Sequence, residues 1–150
     1  MSAPELPTVS TDRSRLDIGY IHDYLAGSYW AKGIPRQVVE RSIEGSLCFG
    51  LFLGKRQIGF ARVISDFATF AYLADVFVDE RERGRGYARL LMDAVIAHLG
   101  LQGLRRFALA TRDAHGLYAK YGFTALAAPG SWMEVYRRDI YTAGVKDSAP

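Results

Sequence analysis

One stretch constrains this chain more than any other: Arg81-Glu82-Arg83-Gly84-Arg85-Gly86-Tyr87-Ala88. Before it, Phe70 to Val78 is a nearly unbroken run of aromatic, aliphatic and β-branched residues, the pattern of a buried strand. After it, Tyr87, Leu90, Leu91, Ala94, Val95 and Leu99 recur at helical spacing and mark one apolar stripe. The segment therefore predicts strand, short glycine-rich turn, helix. No Ser, Thr, Asp or Asn stands at the helix entry, so its first amides lack a side-chain acceptor. Arg81, Arg83, Arg85 and Arg89 crowd the same end, where cations oppose the helix dipole. A bound phosphate resolves both conflicts, accepting from the free amides and balancing the arginines.

The remaining pattern predicts a single domain. A chain of 150 residues carries one core. Residues 1–11 read as a loose N-terminal tail, 12–141 as the domain and 142–150 as a loose C-terminal tail. Leu16, Ile18 and Tyr20 alternate with polar residues and suggest a first, edge-like strand. A short helix over 21–25 and a second starting at Ile34-Pro35 follow, separated by the aromatic loop Ser28-Tyr29-Trp30-Ala31-Lys32-Gly33. Leu47 to Leu53 and Ile58 to Ser65 read as a hairpin around Gly54-Lys55-Arg56-Gln57. Beyond the central helix, Phe107 to Ala110 reads as a strand parallel to Phe70–Val78, because a helix lies between them. A helix capped by Asp113 runs through Leu117 and Lys120 to Gly122, and Trp132 to Tyr136 reads as a last strand. The fold class is α+β: a mixed, mostly antiparallel sheet flanked by helices, with a single parallel crossover.

Charge and cysteine content narrow the classes. The net charge of +3 is too small to argue for nucleic acid. The lone Cys48 excludes a disulfide framework and any Cys-x-x-Cys metal site, and fits a reducing compartment. The longest apolar run is far too short to span a bilayer, and the N-terminus has no signal-peptide pattern. These features predict a cytoplasmic protein without a membrane partner.

The strand Leu73 to Val78 followed by Arg81-x-x-Gly84-x-Gly86 resembles the pyrophosphate-binding motif of the GNAT acyltransferase superfamily. Gly116-Leu117-Tyr118-Ala119-Lys120-Tyr121-Gly122-Phe123 resembles its second signature, a helix carrying Leu-Tyr that ends in Gly-Phe. Together they cover roughly residues 70–125. The resemblance implies a GNAT-like fold, acetyl-coenzyme A as co-substrate and no metal. It implies that residues 81 and 83–88 (Arg81, Arg83, Gly84, Arg85, Gly86, Tyr87 and Ala88) hold the pyrophosphate. It also implies that the backbone of Val76, Phe77 and Val78 pairs with the pantetheine arm. A splay between that strand and Phe107–Ala110 is needed to admit the arm. Many members carry an Asn seven residues before the signature tyrosine; Thr111 stands there, with His115 nearby, and both are placed beside the cofactor.

By the same resemblance, Tyr118 protonates the departing thiolate, with Tyr121 as its competitor. An amine acceptor must also lose a proton. Asp75, a lone carboxylate in an apolar strand, is the leading base, and the alternative is an Asp that satisfies amides at a bulge. Asp66, Glu134 and His22 are weaker candidates. Tyr29, Trp30 and Ser65 are expected to line the acceptor pocket. The implied activity is transfer of acetyl directly to a primary amine of a small molecule or peptide. The rival readings are a non-catalytic coenzyme A sensor and a nucleic-acid module built on the arginines. A homodimer, with Trp132–Arg138 as its edge, completes the expectations.

Overall fold

The computed structural model describes residues 6–142. A five-stranded sheet runs in the order β1 (Thr8–Ser10), β2 (Leu47–Leu53), β3 (Arg56–Ser65), β4 (Phe70–Val78) and β5 (Arg106–Leu109). The first four strands pair antiparallel, and β5 lies parallel to β4. Helices α1 (Ile18–Ala26) and α2 (Arg36–Glu44) precede β2, α3 (Tyr87–Ala97) joins β4 to β5, and α4 (His115–Ala119) follows β5.

Both sheet faces are covered, which is why the strands read as near-continuous apolar runs rather than as alternation. Phe49, Leu51, Val63 and Leu73 pack with Leu91, Met92 and Val95 of α3 on one face. Phe60, Phe77 and Cys48 pack with Ile21 and Leu25 of α1 and Val39 and Ile43 of α2 on the other. Among the described residues no helix is long and apolar enough to cross a membrane.

Four expectations are corrected. Thr8–Ser10 is not a loose tail: it forms the edge strand, in register with Phe52, Leu51 and Gly50. Leu16, Ile18 and Tyr20 do not form a strand. Asp17 caps α1 by accepting from the Tyr20 amide at 3.0 Å, and Ile18, Ile21 and Leu25 follow helical spacing. Asp113 does not cap α4; the Thr111 hydroxyl accepts from the Ala114 amide at 3.1 Å instead. Trp132–Tyr136 joins no ladder, and Met133 and Val135 are 96% and 82% exposed. Of the C-terminal tail, Thr142 closes a turn by donating its amide to the Asp139 carbonyl at 3.0 Å. Residues 143–150, and residues 1–5 of the N-terminal tail, lie outside the described residues.

Candidate functional site

β4 and β5 part company within the sheet. Their pairing runs from Phe70↔Arg106 to Leu73↔Leu109, and β4 then continues five residues further, to Val78, without β5 beside it. On its other edge β4 stays paired to β3, with Phe60↔Phe77 and Gly59↔Val78 in register. The Asp79 amide donates to the Ile58 carbonyl at 2.7 Å. Antiparallel alternation therefore commits the polar backbone groups of Phe77 to β3 and turns those of Val76 and Val78 into the gap. The expected splay is present, with two of the three named residues facing it.

The turn at the end of β4 is open in the way a bound anion needs. Gly84 and Gly86 have φ of +81° and +78°, a left-handed conformation that disfavours any side chain, and nothing lies within 4 Å of where their Cβ atoms would be. Gly86 is the N-cap of α3 and supplies no side-chain acceptor. None of the amides of residues 84–88 finds an acceptor among the described residues. A row of free amides beside open space can donate to an anion.

The arginines divide by role. Arg81 turns back on Asp79, donating from its amide at 3.0 Å, Nε at 3.2 Å and Nη2 at 3.1 Å. Arg85 pairs with the buried Glu82 at 3.2 Å. Arg83 donates to the Tyr24 hydroxyl at 2.9 Å. Arg89 forms no ion pair among the described residues. Arg81 thus shapes the turn. The residue missed by sequence reasoning here is Asp79, whose role shows only once the turn folds back on it.

Arg81, above all, holds the Asp79 carboxyl below its usual range despite burial. A depressed folded-state pKa stabilises the protein above the unfolded carboxylate value and ceases to do so as pH falls through the folded value. The melting-temperature gap between wild type and Asp79→Asn is therefore expected to be full at neutral pH and to close progressively below about pH 4. A gap that persists undiminished into strong acid would refute this.

Asp75 sits on a bulge. The register between β3 and β4 slips between Phe60 and Arg62, and Asp75 has φ of 55°. Its carboxylate does not satisfy backbone amides, as the bulge alternative supposed. Oδ1 accepts from the Trp30 indole N–H at 2.9 Å and Oδ2 from Arg62 Nε at 2.8 Å. Arg62 also donates to the Ser46 hydroxyl at 3.1 Å. The pair is nearly buried, with side chains 16% and 10% exposed. Removing one partner of such a pair strands a charge and costs about 3–5 kcal/mol. Arg62→Met is expected to lower the melting temperature by roughly 10 °C, and Arg62→Met/Asp75→Asn to recover much of that loss. Additive destabilisation in the double variant would contradict the pairing.

The aromatic loop is tied down on both sides of the gap. Trp30 binds Asp75 of β4, and Tyr29 lies edge-on to Trp30 at 5.1 Å. The Arg112 guanidinium, just before α4, sits 3.7 Å from the Tyr29 ring centre. Tyr118 is buried on α4, and its hydroxyl has no hydrogen-bond partner among the described residues, yet it is not sealed from solvent. Burial, followed by the nearby Tyr29 and Asp113, pushes its pKa above the ordinary phenol value. Its competitor Tyr121 is spent elsewhere, donating to Asp93 of α3 at 2.9 Å.

Thr111 and His115 line a cavity of about 920 Å³ beside β5 together with Tyr118. Ser65 is not brought to the site. It pairs with Ala71 at the far end of β4, where its hydroxyl donates to the Phe70 carbonyl at 2.8 Å and accepts from the Phe67 amide at 2.8 Å. Asp66 is likewise excluded as a base, because amides of Thr69, Ala68 and Phe70 hold its carboxyl far down. Among the described residues no cluster of His, Cys, Asp and Glu could hold a metal ion.

Comparison with known proteins agrees with this geometry. A candidate acetyltransferase of Gibberella zeae is 30% identical, covering 75% of each chain. A candidate acetyltransferase belonging to the GNAT family from Xanthomonas campestris pv. campestris is 60% identical, covering 93% of this chain and 99% of that one, with a TM-score of 0.90. A GNAT family acetyltransferase of Elizabethkingia anophelis with acetyl-coenzyme A bound shares the fold at 16% identity and a TM-score of 0.62, covering 87% of this chain and 88% of that one. The model of the acetyltransferase (GNAT) family matches residues 20–123, which take in both the glycine turn and the Tyr118 helix, and the chain belongs to that family.

Proposed function

We propose that this chain is an N-acetyltransferase that moves an acetyl group from acetyl-coenzyme A directly to a primary amine. The observation that carries this reading is the row of free amides at the glycine turn; the unpaired edge of Val76 and Val78 and the unpartnered phenol on α4 support it. Acetyl-coenzyme A supplies an activated thioester. The chain's own residues do the rest. Amides of residues 84–88 hold the diphosphate, with Arg83, Arg85 and Arg89 balancing its charge. Val76 and Val78 align the arm by main-chain hydrogen bonds, as an added strand. Tyr118 holds a proton for the departing sulfur, and its raised pKa keeps that proton in place through neutral and mildly alkaline pH.

Asp75 orients the acceptor. Each of its oxygens already has one donor, and a carboxylate has capacity for more, so it can accept an N–H from the incoming amine. Asp75→Asn is expected to lower kcat/KM for the amine about tenfold while leaving acetyl-coenzyme A affinity intact. Unchanged kinetics would remove Asp75 from the site.

The rival is a coenzyme A sensor without turnover. The unpartnered, accessible Tyr118 hydroxyl favours catalysis, since a purely structural buried tyrosine normally finds a partner. An amine-library screen for thiol release from acetyl-coenzyme A decides between them: tight cofactor binding with no release above the hydrolysis background for any amine would establish the sensor.

A further inference from the structure

A second cavity, of about 580 Å³, lies between the aromatic loop and the C-terminal segment, in the size range of small-molecule sites. The two walls are held together at Gly33. Its φ of +80° lets the chain pass so close that an added Cβ would stand 3.2 Å from Thr142 Cγ2 and 3.3 Å from the Tyr141 carbonyl oxygen. One wall carries Tyr29, Trp30 and Lys32; the other carries Arg137, Arg138 and Asp139.

This cavity shares two wall residues with the surroundings of Asp75 and Tyr118. Trp30 contributes to its wall while its indole holds Asp75, and Tyr29 contributes to it while lying in the electrostatic surroundings of Tyr118. Its charge is lopsided: three cations face a single carboxylate. Among the described residues Lys32, Arg137 and Arg138 take part in no ion pair, and Arg138 lies 5.9 Å from the centre of the Tyr136 ring. Exposed cations converging on one small cavity give it a positive potential that favours a visiting anion.

We infer that the acceptor is a primary amine that also carries an anionic group, a carboxylate or a phosphate, with Lys32, Arg137 and Arg138 binding that group while the amine reaches Asp75 and Tyr118. This rests on the transferase reading above and adds the substrate class. The aromatic faces of Tyr29 and Trp30 give the body of such a molecule an apolar seat. The same wall repels polycations, so polyamines are rejected.

Matched acceptors test this: tyrosine against tyramine for the carboxylate, O-phosphoethanolamine against ethanolamine for the phosphate, and spermidine as the polycation. Thiol release should favour at least one anionic member over its neutral-tailed partner by on the order of tenfold or more in kcat/KM, the worth of one charge-assisted hydrogen bond. In Arg137→Gln/Arg138→Gln that preference should collapse through KM. Arg41→Gln/Lys55→Gln, which removes as much charge from exposed positions elsewhere, should preserve it. Equal or better use of tyramine, ethanolamine and spermidine overturns the inference while leaving amine transfer standing. Calorimetric titration of the same compounds in the presence of coenzyme A separates the two failures. Anion-dependent binding that Arg137→Gln/Arg138→Gln abolishes, without turnover of any amine in the library, supports the cavity and refutes the transferase reading. No binding and no turnover of either anionic amine overturns the inference.

Discussion

Gly86→Val is expected to reduce acetyl-coenzyme A affinity at least about a hundredfold, the loss of roughly 3 kcal/mol that follows when two charge-assisted amide hydrogen bonds are given up. Gly86 has φ of +78° and no atom within 4 Å of its absent Cβ, so a valine there collides with nothing in the protein. The stability cost is that of a left-handed β-branched residue, about 1–2 kcal/mol, or a few degrees in melting temperature for a chain of this size. The branched side chain would, however, project into the concavity where free amides must meet an anion. Calorimetric titration with acetyl-coenzyme A alongside thermal unfolding makes the test. A variant that binds normally would show that the open turn is not the cofactor cradle.

Tyr118→Phe should lower kcat by about a hundredfold or more, the range for loss of a general acid, with the dissociation constant for acetyl-coenzyme A nearly unchanged. Removing the hydroxyl leaves the ring and its packing against Phe123, at 6.1 Å between centroids, in place. No internal hydrogen bond is lost among the described residues, so unfolding should be little affected. The pH profile offers a second readout. Because burial raises the Tyr118 pKa, the wild-type rate should show no alkaline fall attributable to this group below its ordinary value of 10.0. A Phe variant with normal turnover would leave the proton to water.

The sheet and the glycine turn were legible because their signals are local. β2, β3 and β4 are apolar runs bounded by turn residues, and the turn at 81–88 sits between two unambiguous periodicities. The site's connections were not legible, because they are made across the chain. Asp75 was conspicuous as a carboxylate in an apolar strand, yet its partner Arg62 lies across a bulge that resets the register. Arg81 matched a motif, but its guanidinium is committed to Asp79, a bond visible only after the turn closes. The misread N-terminus has a different origin. Leu16, Ile18 and Tyr20 alternate over too short a span to distinguish strand from helix, and the Asp17 cap outweighs the alternation. Trp132–Tyr136 has strand-like composition but no paired edge, and a strand exists only with a partner.

Arg83 links the glycine turn to α1 through one hydrogen bond. It donates to the hydroxyl of Tyr24, whose ring stacks on Phe77 at 3.8 Å and 6°, and Tyr20 of the same helix donates to Asp79 at 3.4 Å, so the glycine turn, α1 and the end of β4 are joined by two polar contacts. An anion that takes the Nη2 donor of Arg83 competes with Tyr24 for it. Linkage then runs both ways: whatever affinity the anion loses to that exchange, the Tyr24 contact loses when the anion arrives. α1 is thereby coupled to anion binding at the turn through the Arg83–Tyr24 contact.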